Sequence, residues 1–288
     1  MAGSAFGVSA VRAAGTPIAG SVIPSDPRRV VAVDSRISLE MALALELPLV
    51  GYSHSRARPW VPVPAEVPFL AAPPDPEQIL ALAPDLILCP NTAPQSEWWP
   101  LEKMQRIAPV LTSDHRSHWR DNIERLAVAL DRSALLTPLL AEHAERIGAI
   151  HRRHAPAISA SLVVAANYDP LKRRLSVRSG GTGYGFVMPA QVLTDLGGHA
   201  VRADELGPYG EVALESFGSV LRDVDGILLI DMGGGALPAL AREPLWQRLP
   251  AVSAGRVEVV AGNCIFGSFY TARYLARAWE ALFARLGS

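Results

Sequence analysis

The stretch that most constrains the fold is residues 137–154, which read TPLLAEHAERIGAIHRRH. Its apolar residues recur every three or four positions, at Leu139, Leu140, Ala144, Ile147 and Ile150. This spacing predicts a helix with one apolar stripe. Thr137 before Pro138 is typical of a helix start, Ser133 could start the helix one turn earlier, and Pro156 predicts its end. About seventeen residues make a rod of roughly 25 Å, long enough to reach from one domain to another.

The chain follows a similar plan on either side of this helix. Before it, a helical run leads through Asp85 into the apolar residues 86–88. After it, another helical run leads through Asp223 and Asp225 into the apolar residues 226–230. The two halves are either distant copies of one α/β plan or two ordinary sets of α/β units.

The beginning of the chain indicates how the first half is organised. Residues 29–33, 37–45 and 48–52 read as strand, helix and strand, which predicts a parallel sheet with a right-handed crossover. Glu40 lies near the start of this helix, where a carboxylate is favourable. We expect a flexible tail, an N-terminal α/β lobe, an interdomain helix and a C-terminal α/β lobe, at 1–27, 28–132, 133–156 and 157–288.

Composition excludes several classes of protein. The chain has 288 residues, of which 49% are hydrophobic and 19% charged, as in a globular protein with a substantial core. A net charge of -1 does not suggest a nucleic-acid partner, and the longest apolar runs are too short to span a membrane. Cys89 and Cys264 are expected as free buried thiols, although an oxidising compartment would permit a bridge.

The first twenty residues do not read as a secretory signal. They lack a basic segment followed by a continuous apolar segment, so we predict no signal peptide there. This pattern is compatible both with the mature form of an exported protein and with a cytosolic one.

Aromatic and basic side chains follow the predicted strands. In open α/β sheets ligands bind at the carboxyl ends of the strands. Trp and Tyr there suit a planar or amphipathic ligand, and Arg suits anionic oxygens. The candidate ligand contacts are Arg56, Arg58, Trp60, Asn91, Trp98, Arg178, Tyr184, Tyr209 and Phe266. We expect about half of the loop aromatics to pack on their own domain instead, and only one of Trp98 and Trp99 to face a cleft.

Three other motifs give little support to phosphate binding or to zinc binding. The glycine-rich residues 179–185 lack the Lys-Ser/Thr of a phosphate-binding loop, so a flexible loop is favoured. His115 and His118, like His151 and His154, are three positions apart, but they lack further zinc ligands and are expected at the surface. No Gly-x-Ser-x-Gly motif occurs, so nucleophilic catalysis has no support. Together these observations predict neither catalytic nor metal-ligating residues.

Six short segments, in their order and spacing around the long helix, carry a resemblance to a known family. They are RVVAV at 29–33, EQILALAPDLIL at 77–88, RIAP at 106–109, DVD at 223–225, PLWQ at 244–247 and AGRV at 254–257. Over residues 28–286 the chain resembles the periplasmic iron–siderophore and vitamin B12-binding proteins of ABC importers. The ferric-hydroxamate, or ferrichrome-type, binding proteins look closest.

This resemblance implies both a fold and a function. The fold is that of class III periplasmic binding proteins, or helical backbone metal receptors, in which one long helix joins two Rossmann-like α/β lobes. The function is capture of a preformed ferric siderophore in the cleft between the lobes. Since the siderophore supplies the iron donors, no cofactor, metal ligand or enzymatic activity is expected. The resemblance also implies a periplasmic monomer, with or without a lipid anchor on its precursor, that delivers its ligand to an inner-membrane permease.

Some residues of the family's site have counterparts here and others do not. Trp60 matches a tryptophan that packs on the ligand, and Tyr209 and Phe266 match aromatics of the second lobe. The family's cleft arginine falls near Pro73 and its cleft tyrosine near Asn91, so both are missing. We therefore expect a siderophore other than ferrichrome.

Three arginines could replace the missing charge. Arg56, Arg58 and Arg178 would suit a carboxylate-bearing siderophore. The alternatives are cobalamin or haem binding on the same fold, or an α/β enzyme that acts on a nucleotide or a siderophore.

The family docks on its permease through one acidic residue of each lobe. Glu97 or Glu102 in the first lobe and Glu211 or Glu215 in the second are the candidates. Alternatively, these residues are ordinary solvated or helix-capping carboxylates.

Overall fold

Two α/β lobes are joined by one long helix in the computed structural model, which describes residues 22–56, 58–91, 96–178, 187–201 and 210–287. The first lobe contains a four-stranded sheet, and the second contains a separate, larger sheet. The predicted fold class, two α/β lobes with a single connecting helix, is confirmed.

The N-terminal lobe is built from short apolar runs that alternate with helices. Its elements are β1 (Val30–Ala32), α1 (Ile37–Ala44), β2 (Leu49–Tyr52), α2 (Pro76–Ala81), β3 (Leu86–Pro90), α3 (Leu101–Gln105), β4 (Val110–Ser113) and α4 (Trp119–Ala129). The strands lie in the order β2-β1-β3-β4, all parallel, as the strand–helix–strand pattern predicted. All residues of β1, β3 and β4 are buried, because helices cover both faces of a parallel sheet.

The connecting helix α5 (Ser133–Ala160) is longer than predicted and is kinked. It begins at Ser133, the earlier of the two predicted starts. Its backbone leaves the helical region at His154 (φ -116°, ψ 15°), and a last helical segment then continues to Ala160. Pro156 enters the first turn of this segment, where a missing N–H breaks no hydrogen bond. The predicted end before Pro156 is therefore a kink and not a stop.

The C-terminal lobe has a mixed sheet. Its elements are β5 (Leu162–Asp169), β6 (Arg174–Val177), α6 (Met188–Asp195), β7 (His199–Ala200), β8 (Glu211–Ala213), α7 (Phe217–Val220), β9 (Gly226–Asp231), α8 (Ala236–Ala241), α9 (Pro244–Gln247), α10 (Pro250–Ser253), β10 (Val257–Ala261) and α11 (Phe269–Leu286). The order is β10-β9-β5-β6-β8, with β7 beside the start of β5. Strand β6 is antiparallel to both of its neighbours, β5 and β8. Strand β9 is parallel to both of its neighbours, β5 and β10. The halves are therefore not simple copies, and β7, β8, α8 and α10 were not predicted.

The hydrophobic core is continuous between the lobes. One cluster of buried side chains includes Val30 and Trp119 of the first lobe, Ile150 of α5 and Trp279 of α11. Helix α11 packs on β9 and β10 and also contacts α1. Trp119 N donates to Gln191 Oε1 at 2.8 Å across the junction. Helix α11 thus belongs to the second lobe but is shared with the first. In the described part of the chain, no helix has the length and apolar character that a membrane span requires.

Candidate functional site

Polar and aromatic side chains gather at the carboxyl ends of β1 to β4. Because these strands are parallel, the segments that follow them meet at one edge of the sheet. The side chains at this edge are those of Arg36, His54, Trp98, Trp99 and His115, which we call the N-terminal wall. Arg36 itself is only 6% exposed and contributes its guanidinium from beneath the others.

Asp34 anchors the N-terminal wall from below. Its buried carboxylate accepts hydrogen bonds from the backbone N–H groups of Arg36 and Ile37, both at 3.2 Å, and from Arg36 Nε at 2.9 Å. Burial alone would raise the pKa of Asp34, but attraction to Arg36 and to two histidines outweighs it and holds this pKa well below its usual range. Asp34 therefore stays ionised and fixes the position of Arg36.

The Arg36 side chain reaches from the first lobe towards the second. Its guanidinium carbon lies 4.9 Å from the ring centre of Trp99 and 5.0 Å from that of Phe266. Its Nη2 lies 3.3 Å from His115 Nε2. The cation is thus held between two aromatic rings and is balanced by the carboxylate of Asp34.

Two histidines flank Trp99 on this wall. The ring centres of His54 and Trp99 are 5.8 Å apart with an interplanar angle of 25°, and those of Trp99 and His115 are 5.5 Å apart. Burial, helped by the charge of Arg36, lowers the pKa of both histidines, while Asp34 opposes this shift. Both imidazoles are therefore neutral at neutral pH. Beside His54, Trp98 is 51% exposed, so this wall presents an aromatic and largely uncharged surface.

A second candidate surface is one face of the β5–β6–β8 sheet in the C-terminal lobe. Asn167 pairs with Ser176, which in turn pairs with Glu211, whereas the alternate residues Tyr168 and Leu175 point into the core. This alternation follows the period of two along a strand. We call Asn167, Ser176, Arg178 and Glu211 the C-terminal wall.

Hydrogen bonds fix the direction of the charged groups on the C-terminal wall. Arg178 Nε donates to Asn167 Oδ1 at 2.8 Å, and Arg174 Nη1 donates to Glu211 Oε2 at 2.6 Å. A cavity of about 340 Å³ lies over this wall. It is lined by Asn167, Asp169, Lys172, Ser176, Arg178 and Glu211, and at one side by Ile265 and Phe266.

Phe266 is the residue at which the two walls meet. It follows β10, lines the 340 Å³ cavity, and contacts His115 at a ring distance of 5.2 Å with an interplanar angle of 90°. We call the surface between the two walls, with Phe266 at its centre, the groove. Its chemistry favours a ligand with an apolar part for the aromatic side and oxygens for the polar side.

A comparison with protein families identifies the class of the chain. A family model described as periplasmic binding protein matches residues 30–261, which is most of the sequence. The chain belongs to this family. The predicted resemblance to binding proteins of this kind is thereby confirmed. No curated protein matches the chain by sequence.

Solved structures share the fold of this periplasmic binding protein at low sequence identity. The siderophore-binding protein FhuD from Vibrio cholerae, solved with Fe3+-Desferal, is 24% identical with a TM-score of 0.73, covering 90% of this chain and 98% of that one. PiaA from Streptococcus pneumoniae in complex with ferrichrome is 20% identical with a TM-score of 0.66, covering 95% and 96%. The siderophore periplasmic binding protein from the fuscachelin gene cluster of Thermobifida fusca is 20% identical with a TM-score of 0.68, covering 91% and 98%.

The groove of this periplasmic binding protein contains some of the predicted ligand contacts. Phe266 and Arg178 line the same cavity, and Trp98, not the half-buried Trp99, is the exposed tryptophan of the N-terminal wall. Asn91 is exposed, and its N–H donates to Ser113 O at 2.7 Å. Its role as a ligand contact stays a prediction, and Tyr184 and Tyr209 lie outside the described residues.

The structure does not fit the predicted role of Arg58. This side chain is only 4% exposed, and its guanidinium pairs with Glu40 and donates to Phe266 O at 3.1 Å. Sequence patterns placed Arg58 on an open loop. They could not show its burial, because its partners come from α1 and from the region around the start of α11, far away in the sequence. Arg58 is a structural cation of the lobe junction and is not open to a ligand.

Trp60 and Arg56 also pack locally. Trp60 stacks on Tyr274 of α11 with ring centres 4.3 Å apart and an interplanar angle of 1°, and its Nε1 donates to Thr271 Oγ1 at 3.0 Å. Arg56 is exposed and lies 4.5 Å from the ring centre of Phe69. Each side chain thus contacts a ring of the protein, and the roles of Trp60 and Arg56 as ligand contacts stay predictions.

Sequence patterns did not identify several groove residues or placed them elsewhere. His115 was expected at the surface, but it forms part of the N-terminal wall. Asp34 was not singled out, yet its carboxylate accepts from Ile37 N at the start of α1 and pairs with Arg36. The available signal was that Asp34, His54 and His115 each follow a strand of the parallel sheet. Asn167 had no such signal, because it lies within β5.

The four candidate docking carboxylates are exposed to different degrees. Glu97 and Glu102 are exposed and line a cavity of about 500 Å³ whose rigid sides include Pro73, Pro74 and Pro100. Glu215 is also exposed, whereas Glu211 is half-buried and paired with Arg174. Among the residues that the structure describes, no group of three or more His, Cys, Asp or Glu side chains could hold a metal ion.

Proposed function

We propose that this periplasmic binding protein is the substrate-binding protein of an ABC importer. It captures a ferric siderophore, of the hydroxamate or mixed hydroxamate and carboxylate type, in the groove and delivers it to a permease in the inner membrane. The observation that carries the proposal is the meeting of an aromatic wall and a polar wall at Phe266.

The two walls suit the surface of such a complex. A ferric siderophore brings its own iron donors, so its receptor needs shape, aromatic surface and hydrogen-bond donors. Trp98 and Phe266 offer aromatic area for the apolar backbone of the siderophore. Arg178, oriented by Asn167, offers a guanidinium to carboxylate or hydroxamate oxygens.

The names of the structural relatives support this ligand class. The Vibrio cholerae FhuD binds Fe3+-Desferal, and the Streptococcus pneumoniae PiaA binds ferrichrome. Both share the two-lobed fold with this chain over at least 90% of its length. We also propose that the protein is a periplasmic monomer without enzymatic activity or cofactor, with one lobe on either side of the connecting helix.

Docking on the permease completes the proposed function. Glu97 or Glu102 serves the first lobe, and Glu215 is favoured over Glu211 in the second because Arg174 already neutralises Glu211. The variant Glu102→Lys/Glu215→Lys should lose siderophore-dependent iron uptake in cells while it keeps the affinity of the purified protein. Loss of affinity together with uptake would contradict a docking role for these carboxylates.

Native mass spectrometry against a panel of ferric siderophores tests the function itself. We expect one ferric hydroxamate per chain, released unchanged, and weaker binding of the iron-free siderophore. A protein that binds none of the panel, or that instead retains a corrinoid or a haem with its absorbance spectrum, would contradict the proposal.

A further inference from the structure

A buried ion pair lies at the junction of the lobes, outside the two walls. Glu40 comes from α1 and Arg58 from the loop after β2, so both belong to the N-terminal lobe. The side chain of Glu40 is 0% exposed and that of Arg58 is 3% exposed. Buried ions are costly unless they are paired and fully hydrogen-bonded, so the partners of this pair indicate its purpose.

Within the described part of the chain, the hydrogen-bond partners of the pair's charged groups come from the C-terminal lobe. Glu40 Oε2 accepts hydrogen bonds from the backbone N–H groups of Ser268 at 3.0 Å and of Thr271 at 2.8 Å. The first N–H groups of a helix have no partner within the helix, so a carboxylate of one lobe satisfies the start of α11 in the other. Arg58 Nη1 donates to the carbonyl oxygen of Phe266, and Arg58 Nη2 donates to Thr271 Oγ1.

Four donors from described residues surround the carboxylate of Glu40, as expected for an ionised acceptor. They are Arg58 Nη2, Ser268 N, Thr271 N and the Thr271 hydroxyl. Burial raises the pKa of Glu40 and lowers that of Arg58, and the attraction within the pair opposes both shifts. Trp60 adds a second contact between the same segments, because it bonds Thr271 and stacks on Tyr274.

The connecting helix does not by itself explain a fixed arrangement of the lobes. Its backbone is kinked at His154, close to the point where it enters the C-terminal lobe. A kink is a place where two packed bodies can change their angle. Contacts between the lobes outside this helix are therefore needed to hold the groove at one width, and the Glu40–Arg58 pair adds directed polar contacts to the shared hydrophobic core.

We propose that Glu40 and Arg58 are positioning residues that clamp the start of α11 to the N-terminal lobe, and that they thereby hold Phe266 and set the width of the groove before a ligand arrives. The part of this inference that concerns the ligand rests on the proposed function. The part that concerns the lobes does not. A groove whose width is already fixed binds its ligand more tightly, because less conformational entropy is lost when the ligand enters.

Two variants separate this role from a general effect on stability. Glu40→Gln leaves the Arg58 cation buried without its counter-ion, so we expect the thermal midpoint to fall by roughly 10 °C. Glu40→Leu/Arg58→Met leaves no buried charge, so part of this loss should be regained, although three backbone groups lose their partners. This double variant still lacks the bonds to Phe266 O, Ser268 N and Thr271 N, and therefore still lacks the clamp.

The distance between the lobes is the readout that a merely stabilising pair would not change. Spin labels on cysteines introduced at the exposed positions Arg106 and Arg248 report it by double electron–electron resonance. The native Cys89 and Cys264 are buried, and burial raises the pKa of both thiols, so they should not take up label. In the ligand-free protein we expect one narrow distance distribution, and a broad one in the double variant.

Ligand affinity provides the second readout. With a ferric hydroxamate as the probe, the double variant should bind about tenfold more weakly than the unmodified protein. Glu258→Gln is the control, because it breaks a 3.0 Å ion pair with Arg285 that lies wholly within the C-terminal lobe. The control should keep both the narrow distribution and the affinity.

A folded double variant with the narrow distribution and full affinity would overturn the clamp. A broad distribution with reduced affinity supports it. If the unmodified protein binds no siderophore, the proposed function fails, and the spin-label distances alone still decide whether the clamp exists.

Discussion

The two walls of the groove are built in different ways. The N-terminal wall stands on loops after four parallel strands, and its charges, Asp34 and Arg36, are buried and paired beneath an aromatic surface. The C-terminal wall is a face of antiparallel strands, and its ion pair, Arg174–Glu211, is partly exposed to solvent. We infer that the first wall gives the groove its shape and the second selects the polar groups of the ligand. The first should therefore respond to substitution through stability and the second through affinity.

The largest difference between the walls is expected in the free energy of unfolding, when one charge is removed from each wall. Asp34→Asn leaves Arg36 buried without a counter-ion, so the free energy of unfolding should fall by about 3 kcal/mol or more. Glu211→Gln removes half of a partly exposed pair and should cost at most about 1 kcal/mol. Urea unfolding of both variants measures the two values, and equal losses would show that the walls do not differ as described.

A large effect on affinity is expected at Arg178. Arg178→Ala removes a charged donor from the C-terminal wall, so the affinity for the cognate ferric siderophore should fall about tenfold to a hundredfold, with little change in unfolding. The matched control is Lys172→Ala, since the Lys172 side chain is 62% exposed at the edge of the same cavity and should matter little. Calorimetric titration that finds unchanged affinity for Arg178→Ala would remove Arg178 from the site.

Trp98 provides a smaller test, because it is the part of the N-terminal wall that is least buried. Trp98→Ala should weaken binding by about fivefold to tenfold through lost aromatic contact, and should leave the free energy of unfolding nearly unchanged. Leu80→Ala removes another exposed apolar side chain, on α2, and serves as the control. If both variants bind equally well in a fluorescence titration, Trp98 does not contact the ligand.

The smallest effect is expected in the pH dependence of stability. The folded-state pKa of His54 and of His115 lies below the ordinary value of 6.5, so the unfolded chain takes up protons first as the pH falls. The contribution of the neutral imidazoles is therefore complete above about pH 6.5 and is lost progressively below it.

His115→Gln should reduce the slope with which stability falls as the pH is lowered, measured as urea midpoints between pH 7 and pH 5. Ser176→Ala, on the C-terminal wall, changes no titratable group and should leave the slope as it is. A slope that is the same with and without His115 would show that this histidine is not held neutral by the wall.

The sequence predicted the features that depend on local pattern. Apolar runs and capping residues identified β1, β2, β3, β9, α1 and the long helix α5. The rule that ligands bind at strand ends pointed to Phe266, Trp98 and Arg178. The pattern could not identify Asn167, because its exposure depends on β6 and β8 pairing beside β5. Nor could it identify the partners of Glu40, because Ser268 lies 228 positions away in the sequence. Contacts of this kind depend on how the lobes pack, which no periodicity records.

The position of iron in a ligand-bound crystal tests the central claim most directly. Crystals grown with a ferric hydroxamate should give one anomalous scattering peak at the iron edge, in the groove between Phe266, Trp98 and Arg178. A protein that binds the siderophore in solution but places its iron away from these three side chains would contradict the account.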